Sequence, residues 1–394
     1  MRILTYCAAY LPGYKTGGPL RSLVGLVQQL GPEFEFWIVT ADRDLGDRKP
    51  YADVTPSRWL SCDGSRLYYA KPSEFTPMGL RSITASVRPH LSYVNSFFSP
   101  KFSMLPIAMR RLRLASSAPM LLAPRGEFSP GALGIKATKK AAFLAIARRL
   151  AAYNDLTWQA STSLEADDIR RQFPNARIII AGNLATPLPA EHCLTRPGKR
   201  VGAVSLAFVS RITPMKNLSF ALNLLHHVRG NVDYHIYGPI EDANYGIYCQ
   251  TEAARLPPNI RVNFHGDIAH EDVHGELARH HGFLLPTLGE NFGHAILEAL
   301  LAGCVTIIGD QTPWRELEQR GAGWALPVTN KGVFVDAIQR MIDMDEITFT
   351  KASANARTVG LERATSAAIV DENRALFRSA ANAPKRWRRP EAER

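Results

Sequence analysis

Hydrophobic and polar positions alternate along this chain in a regular way. Short apolar runs such as RILTYCA, FEFWIVTA and LSYVNS are separated by amphipathic stretches such as PLRSLVGLVQQL. Short apolar runs predict buried strands, and apolar residues at helical spacing predict helices. The alternation of the two predicts an α/β protein whose parallel strands are joined by helical crossovers.

The same rhythm occurs twice, with a break between the two series. The first series ends near RIIIAGN, the proline-containing stretch ATPLPAEHCLTRPGKR follows, and a second series begins with VSLAFVSRI. A chain of 394 residues is also longer than one hydrophobic core usually supports. We therefore predict two Rossmann-like domains facing a central cleft, residues 1–182 and 183–365, with a basic tail at 381–394.

Composition narrows the class of protein. Hydrophobic residues make up 46% and charged residues 21%, which is typical of a folded globular chain. No apolar run is long enough for a transmembrane helix, and the N-terminal apolar stretch is better explained as a first strand than as an export signal. Five widely spaced cysteines without a Cys-x-x-Cys pair favour a reducing, cytoplasmic location.

The positive charge is confined to the first half. Residues 1–185 contain 24 Lys and Arg against 13 Asp and Glu, whereas residues 186–394 contain 23 of each. One basic stretch, KATKKAAFLAIARRLAAYN, predicts a helix with Phe143, Ile146, Leu150 and Tyr153 near one face. Such charge favours an anionic partner, and an anionic membrane surface is the partner we expect. No recognition helix or basic sheet with interleaved aromatics is evident, so nucleic acid is not expected.

The segment LLPTLGENFGHAILEALLAG carries the most specific chemistry. It predicts a strand, a loop, and a helix that starts near Phe292 or Gly293, where backbone N–H groups form an anion site. Glu290 lies just before this helix and Glu298 within it, so one carboxylate can face a ligand at the cleft while the other accepts hydrogen bonds from ligand hydroxyls. Spacing alone leaves open an ordinary solvated helix flank.

A second segment of the same domain, VSRITPMKN, adds positive charge. Arg211 and Lys216 follow the domain's first strand and should lie on a loop at its carboxyl end. An Arg fork and a Lys point charge suit the oxygens of a diphosphate.

With these motifs the chain resembles the retaining glycosyltransferases of family 4, which have the GT-B fold. The resemblance extends over about residues 1–380. It is carried by the Gly17-Gly18 pair, by Arg211 with Lys216, and by Glu290 and Glu298 with Asn291-Phe292-Gly293 between them.

The resemblance implies a role for each of these positions. Arg211 and Lys216 would hold the diphosphate of a nucleotide sugar, Glu290 would contact the transferred sugar, and Glu298 would bind the ribose. Asn291, Phe292, Gly293, Gly17 and Gly18 would belong to the donor site, and the glycine pair would also lie near the acceptor. The helix at about 366–380 would pack back onto the first domain.

The resemblance also implies the reaction and its setting. A sugar would pass with retained configuration to a glycan or lipid-linked glycan acceptor, without a metal or cofactor. Assembly of bacterial surface polysaccharide, such as lipopolysaccharide, capsule or exopolysaccharide, is the expected pathway. The enzyme would be cytoplasmic, or peripheral on the inner face of the cell membrane. A glycosyltransferase-like binding subunit without activity is the alternative.

Three positions depart from the family pattern, and one of them is Gly182-Asn183, which stands where Asn-Gly often ends the linker strand. Arg125, in APRGEFSPGAL, stands where a His often follows the fifth strand of the first domain, and it is the candidate residue on the acceptor side. Asn217 stands where Gly often follows the Lys.

Two short motifs compete with this interpretation. Asp42-Arg43-Asp44 matches a metal-binding Asp-x-Asp, but three residues after a strand are better explained as a polar loop. His270-Glu271-Asp272-Val273-His274 matches the zinc-hydrolase pattern His-Glu-x-x-His. We expect a short surface helix there between two strands, so the zinc hydrolase is the less favoured alternative.

Overall fold

The computed structural model describes residues 1–62, 64–186 and 197–383. The chain divides into two compact units, the first comprising Met1–Pro187 with Ser366–Arg394 and the second Leu188–Thr365. Most of the predicted proline-containing linker and of the predicted basic tail lies outside the described residues. Within the described ranges, no helix is both long enough and apolar enough to cross a membrane.

The first unit is built on one eight-stranded sheet. Its order is β3-β4-β2-β1-β5-β6-β7-β8, and all neighbours are parallel except β3 and β4. The predicted α/β class is confirmed, because helices cross between the parallel strands. The strands are β1 (Arg2–Tyr6), β2 (Glu35–Ala41), β3 (Trp59–Cys62), β4 (Ser65–Ala70), β5 (Leu91–Asn95), β6 (Met120–Ala123), β7 (Thr157–Ala160) and β8 (Arg177–Ile180).

Helices cover both faces of this sheet. Several begin at a side-chain cap: the Thr76 and Thr162 hydroxyls accept hydrogen bonds from the backbone N–H three residues on. The buried strands pack against two apolar clusters, one on each face. The helices are α1 (Gly18–Leu30), α2 (Pro77–Val87), α3 (Leu105–Arg111), α4 (Pro130–Gly134), α5 (Ala137–Arg149) and α6 (Ser163–Gln172), with a 3-10 turn at Pro72–Glu74 and a π-helical turn at Pro100–Met104.

The buried face of α5 is not the stripe predicted from the sequence. Leu144 and Ala147 are buried, whereas Ile146 and Leu150 have exposed fractions of 57% and 62%. Tyr153 is buried, but it lies beyond the helix, which ends at Arg149. Helical spacing therefore does not apply from Leu150 onward, and two large aliphatic side chains face solvent.

The second unit contains a six-stranded parallel sheet in the order β11-β10-β9-β12-β13-β14. Its strands are β9 (Ala203–Val209), β10 (Asn231–Tyr237), β11 (Ile260–Gly266), β12 (Gly282–Leu285), β13 (Val305–Gly309) and β14 (Gly323–Leu326). Its helices are α7 (Leu218–Leu225), α8 (Ala243–Ala253), α9 (His270–Leu277), α10 (His294–Leu301), α11 (Lys331–Asp343) and α12 (Glu346–Ala364). Because β9, β12 and β13 are neighbours, the loops that follow them meet at one edge of the sheet.

The last helix, α13 (Ala367–Ala381), belongs to the first unit. The fully buried Asn373 side chain donates to the Gly182 carbonyl at 2.7 Å, within the segment that follows β8. The Phe377 ring lies against the rings of Phe36 and Tyr93, with centroids 5.8 and 5.2 Å away. Buried polar and aromatic contacts thus attach the end of the chain to the first sheet.

Candidate active site

An ion pair lies at the carboxyl edge of the second sheet. The Lys216 ammonium contacts the Glu290 carboxylate at 2.5 Å, and only 17% and 14% of the two side chains is exposed. Lys216 ends the loop after β9, and Glu290 lies in the loop after β12. Two residues predicted to share a site from their motifs alone are therefore in direct contact.

Backbone contacts hold these two loops together. The Leu288 N–H donates to the Met215 carbonyl at 3.0 Å, and the Asn217 side-chain amide donates to the Pro286 carbonyl at 3.1 Å. Asn217 has a left-handed backbone with φ of 58°, which Asn tolerates better than most residues other than Gly. Asn217 therefore has a backbone conformation that Gly also adopts readily, and its side chain adds a hydrogen bond.

The loop after β12 ends at a glycine that starts α10. Gly293 is the N-cap residue, with φ of 79°, and the preceding Phe292 is buried. A Cβ at Gly293 would lie 2.8 Å from the Ile296 side chain, so this position lacks space as well as an ordinary backbone conformation. Gly293 is buried, and its N–H has no acceptor among the described residues. An N–H of this kind at a helix start is one that an anion would satisfy.

Glu298 lies on α10 beyond this helix start. Its carboxylate is 3.5 Å from the His270 imidazole at the start of α9. His270 is also the first residue of the His-Glu-x-x-His match, which does lie on a short helix between two strands. No group of three or more His, Cys, Asp or Glu in the described ranges is placed to hold a metal ion.

Arg211, the other residue predicted to hold a diphosphate, lies on the loop after β9 as expected and has a partner of its own. Its guanidinium pairs with the Glu241 carboxylate at 2.5 Å, and 40% and 49% of the two side chains is exposed. Of the three residues predicted as catalytic, Lys216 and Glu290 contact each other and Arg211 contacts Glu241. The Glu241 partner has no motif around it, and sequence reasoning missed it.

In the first unit, the glycine pair follows β1. Gly17 has φ of 63° and open space around the position of a Cβ, and Gly18 starts α1. The buried Asp44 carboxylate accepts hydrogen bonds from the backbone N–H groups of Tyr14 at 2.7 Å and Lys15 at 3.1 Å. Asp44, which the sequence offered only as part of an Asp-x-Asp, therefore holds the loop that carries Gly17.

Arg125 lies in the loop after β6, with a left-handed φ of 56°. Its guanidinium donates to the Tyr93 hydroxyl at 2.6 Å, to the Asn95 side-chain carbonyl at 2.9 Å, and to the Asn183 side chain. All three acceptors are neutral, and all three residues are buried. The guanidinium is thus fixed by residues of β5 and of the segment after β8.

A buried carboxyl group lies close to Arg125 in the chain. Burial raises the pKa of Glu127 above its ordinary value, and hydrogen bonds from Ser96, Phe98 and Phe97 oppose that rise. The backbone N–H groups of Phe97 and Phe98 donate to the Glu127 carboxylate at 2.6 and 2.9 Å. Because these donors belong to the loop after β5, Glu127 ties that loop to the one that carries Arg125.

Comparison with known proteins agrees with this architecture. Three solved structures have the same fold: Anabaena Alr3699/HepE in complex with UDP and glucose, the sucrose-phosphate synthase of Thermosynechococcus elongatus, and WaaG, a glycosyltransferase involved in lipopolysaccharide biosynthesis. Their TM-scores are 0.71, 0.71 and 0.61, at 15%, 15% and 12% identity. The matches cover 96%, 96% and 98% of this chain and 100%, 98% and 100% of the others.

These likenesses show that the chain has the GT-B fold of two Rossmann-like domains. Residues 195–359 match the family described as Glycosyl transferases group 1. This match spans most of the second unit, which contains the Lys216–Glu290 pair. No curated protein matches the chain.

Substitution of Gly293 tests the geometry of this site. Gly293→Ala should lower the free energy of unfolding by roughly 2–4 kcal/mol, because a left-handed Ala is strained and its Cβ would lie 2.8 Å from Ile296 Cδ1 and 3.2 Å from Trp314 Nε1, both in buried side chains. Gly202→Ala is the control, since Gly202 also has a positive φ but open space around its Cβ position. Its cost should be roughly 1–2 kcal/mol in urea unfolding. Equal costs at the two positions would contradict the close packing described here.

Proposed function

We propose that the protein is a retaining glycosyltransferase that moves a sugar from a nucleoside-diphosphate sugar to an acceptor hydroxyl. The observation that carries the proposal is the shielded Lys216–Glu290 pair, three residues before the Gly293 helix start, in a segment that matches the family described as Glycosyl transferases group 1. A cation, an amide donor and a carboxylate are the groups that a sugar diphosphate requires.

Lys216 changes partners when the donor binds. In the structure its ammonium is paired with Glu290. A diphosphate has more negative charge and more acceptor oxygens than one carboxylate, so it competes for Lys216. Glu290 is then released to accept hydrogen bonds from hydroxyls of the sugar, which fits its place just before the Gly293 helix start.

In the proposed site, the remaining predicted residues bind other parts of the donor or act on the acceptor side. Arg211 joins Lys216 on the diphosphate after exchanging Glu241 for phosphate oxygens, and Glu298 binds the ribose hydroxyls. Gly17 and Gly18 present backbone amides to the donor. Arg125 acts on the acceptor side, where its neutral partners leave its positive charge uncompensated by any direct ion pair among the described residues.

The chemical step needs no covalent nucleophile. The bond from the anomeric carbon to the phosphate oxygen breaks, and the acceptor oxygen attacks the same face. The departing phosphate oxygen takes the acceptor's proton, so atoms and charge balance. Lys216 and the helix-start N–H stabilise the charge that develops on the leaving group, and no metal is required for that.

The proposed pathway rests on the similar solved structures together with the family resemblance. WaaG acts in lipopolysaccharide biosynthesis, and the HepE structures contain UDP or UDP-glucose. We assign the present protein to surface polysaccharide assembly, in the cytoplasm, with a glycan or lipid-linked glycan as acceptor. UDP-sugars are the first donors to test.

A basic aliphatic surface on the first unit fits a membrane-bound acceptor. It consists of the exposed side chains of Leu112, Leu114, Ile146 and Leu150 with the cations Arg111, Arg113, Arg148 and Arg149. An Arg111–Leu150 hydrogen bond at 3.4 Å connects the end of α3 to the residue after α5. Exposed aliphatics among cations favour the interface of an anionic bilayer.

The first test is Glu290→Gln. Sugar transfer should fall by about 100-fold or more, because the amide cannot replace the carboxylate at the sugar. Binding of the nucleoside diphosphate, measured by calorimetry, should be unchanged or tighter because Lys216 loses its competing partner. Glu252→Gln, which breaks the exposed pair with Arg255, should behave as wild type.

Near-normal turnover of Glu290→Gln would refute the site assignment. A wild-type protein that binds the nucleotide but transfers no sugar to any acceptor glycan would instead support the inactive binding subunit.

A second test concerns the membrane. Wild-type protein should co-sediment with phosphatidylcholine vesicles that contain phosphatidylglycerol, and less with vesicles of phosphatidylcholine alone. The double variant Ile146→Ser with Leu150→Ser should lose most of this binding. Ile347→Ser is the matched control, because Ile347 is an 80% exposed aliphatic residue of the second unit. Co-sedimentation that does not depend on the anionic lipid would contradict the proposed binding to an anionic membrane.

A further inference from the structure

The loop after β13 touches the Glu290 loop at two points. The Gln311 carbonyl accepts a hydrogen bond from the Glu290 N–H at 2.9 Å. The Trp314 indole N–H donates to the Phe292 carbonyl at 2.6 Å. Residues 286–293 are therefore hydrogen-bonded to two loops, the loop after β9 and the loop after β13.

The Trp314 side chain has little freedom. It is buried, its ring lies 6.1 Å from that of Phe292, and its backbone N–H donates to the Thr312 hydroxyl at 3.2 Å. A buried indole N–H that lost its acceptor would cost free energy, so the ring is held in the one placement that reaches the Phe292 carbonyl.

Fixing this carbonyl also fixes the next N–H. The peptide unit is planar and trans, so the Phe292 carbonyl and the Gly293 N–H point in opposite directions. Glycine adopts many backbone conformations, and without a restraint this peptide unit has alternatives open to it. The indole selects the one in which the Gly293 N–H points away from Trp314 and remains without an acceptor among the described residues.

We propose that Trp314 is a positioning residue for donor binding. It does not touch the donor; it orients the Phe292–Gly293 peptide unit so that the Gly293 N–H meets a phosphate oxygen. This inference rests on the proposed function, because it assumes that a diphosphate binds at this helix start. The Trp314 ring is buried behind the loop. Sequence motifs that describe ligand contacts therefore do not include it.

The test compares a nucleoside diphosphate with its nucleoside. Among UDP, GDP and ADP, the one that binds wild-type protein most tightly is measured by calorimetry beside the matching nucleoside. Trp314→Phe keeps an aromatic ring but removes the N–H. Its affinity for the diphosphate should fall about tenfold, while its affinity for the nucleoside stays the same, because only the phosphate contact is lost.

Trp158→Phe is the matched control. Trp158 is a fully buried tryptophan of the first unit, and its indole N–H has no hydrogen-bond partner among the described residues. The Trp158→Phe variant loses the same ring volume as Trp314→Phe, and its affinities for the diphosphate and the nucleoside should be unchanged. If Trp314→Phe does not fold, incorporation of 3-benzothienylalanine at position 314 replaces only the indole N–H by sulfur, and the same selective loss is expected.

Three results would overturn the inference. Unchanged diphosphate affinity, or an equal loss for the diphosphate and the nucleoside, would remove Trp314 from donor positioning while the proposed function stands. Wild-type protein that binds none of the three diphosphates would overturn the proposed function and this inference together.

Discussion

Lys216 and Glu290 lie on two neighbouring loops of one parallel sheet, and their ion pair is largely shielded from solvent. A shielded charge is stable only beside an opposite charge or strong hydrogen-bond partners. The pair therefore connects the two loops. Under the proposed function, a donor must offer Lys216 at least as much negative charge as Glu290 does.

The surrounding contacts keep this site rigid without using further charge. Neutral hydrogen bonds from Asn217, Leu288 and Trp314 hold the loop that carries Glu290 from both sides. In the first unit the Asp44 carboxylate holds the loop of Gly17 by accepting hydrogen bonds from two backbone N–H groups. Loops that are already held in place need little reorganisation when charge develops on a leaving group.

Local sequence patterns predicted the fold and part of the site. Apolar periodicity is a property of neighbouring residues, and it correctly indicated parallel sheets and the strand, loop and helix around Gly293. The motifs also placed Lys216 and Glu290 in one site. They could not show that Arg211 pairs with Glu241, that Asp44 faces a glycine loop, or that Trp314 reaches Phe292, because those partners are distant in sequence. The exposed Leu150 was missed because the helix ends before the periodic pattern does, and the exposed Ile146 because α5 buries the face of Leu144 and Ala147 instead.

Calorimetric titration of UDP, GDP and ADP into wild-type protein and Lys216→Ala tests the central claim most directly. We predict that wild-type protein binds at least one of these diphosphates and that Lys216→Ala binds it at least about tenfold more weakly. The Lys216→Ala variant should keep its fold, as judged by circular dichroism. Equal affinity in the two proteins, or no binding to wild-type protein, would contradict it.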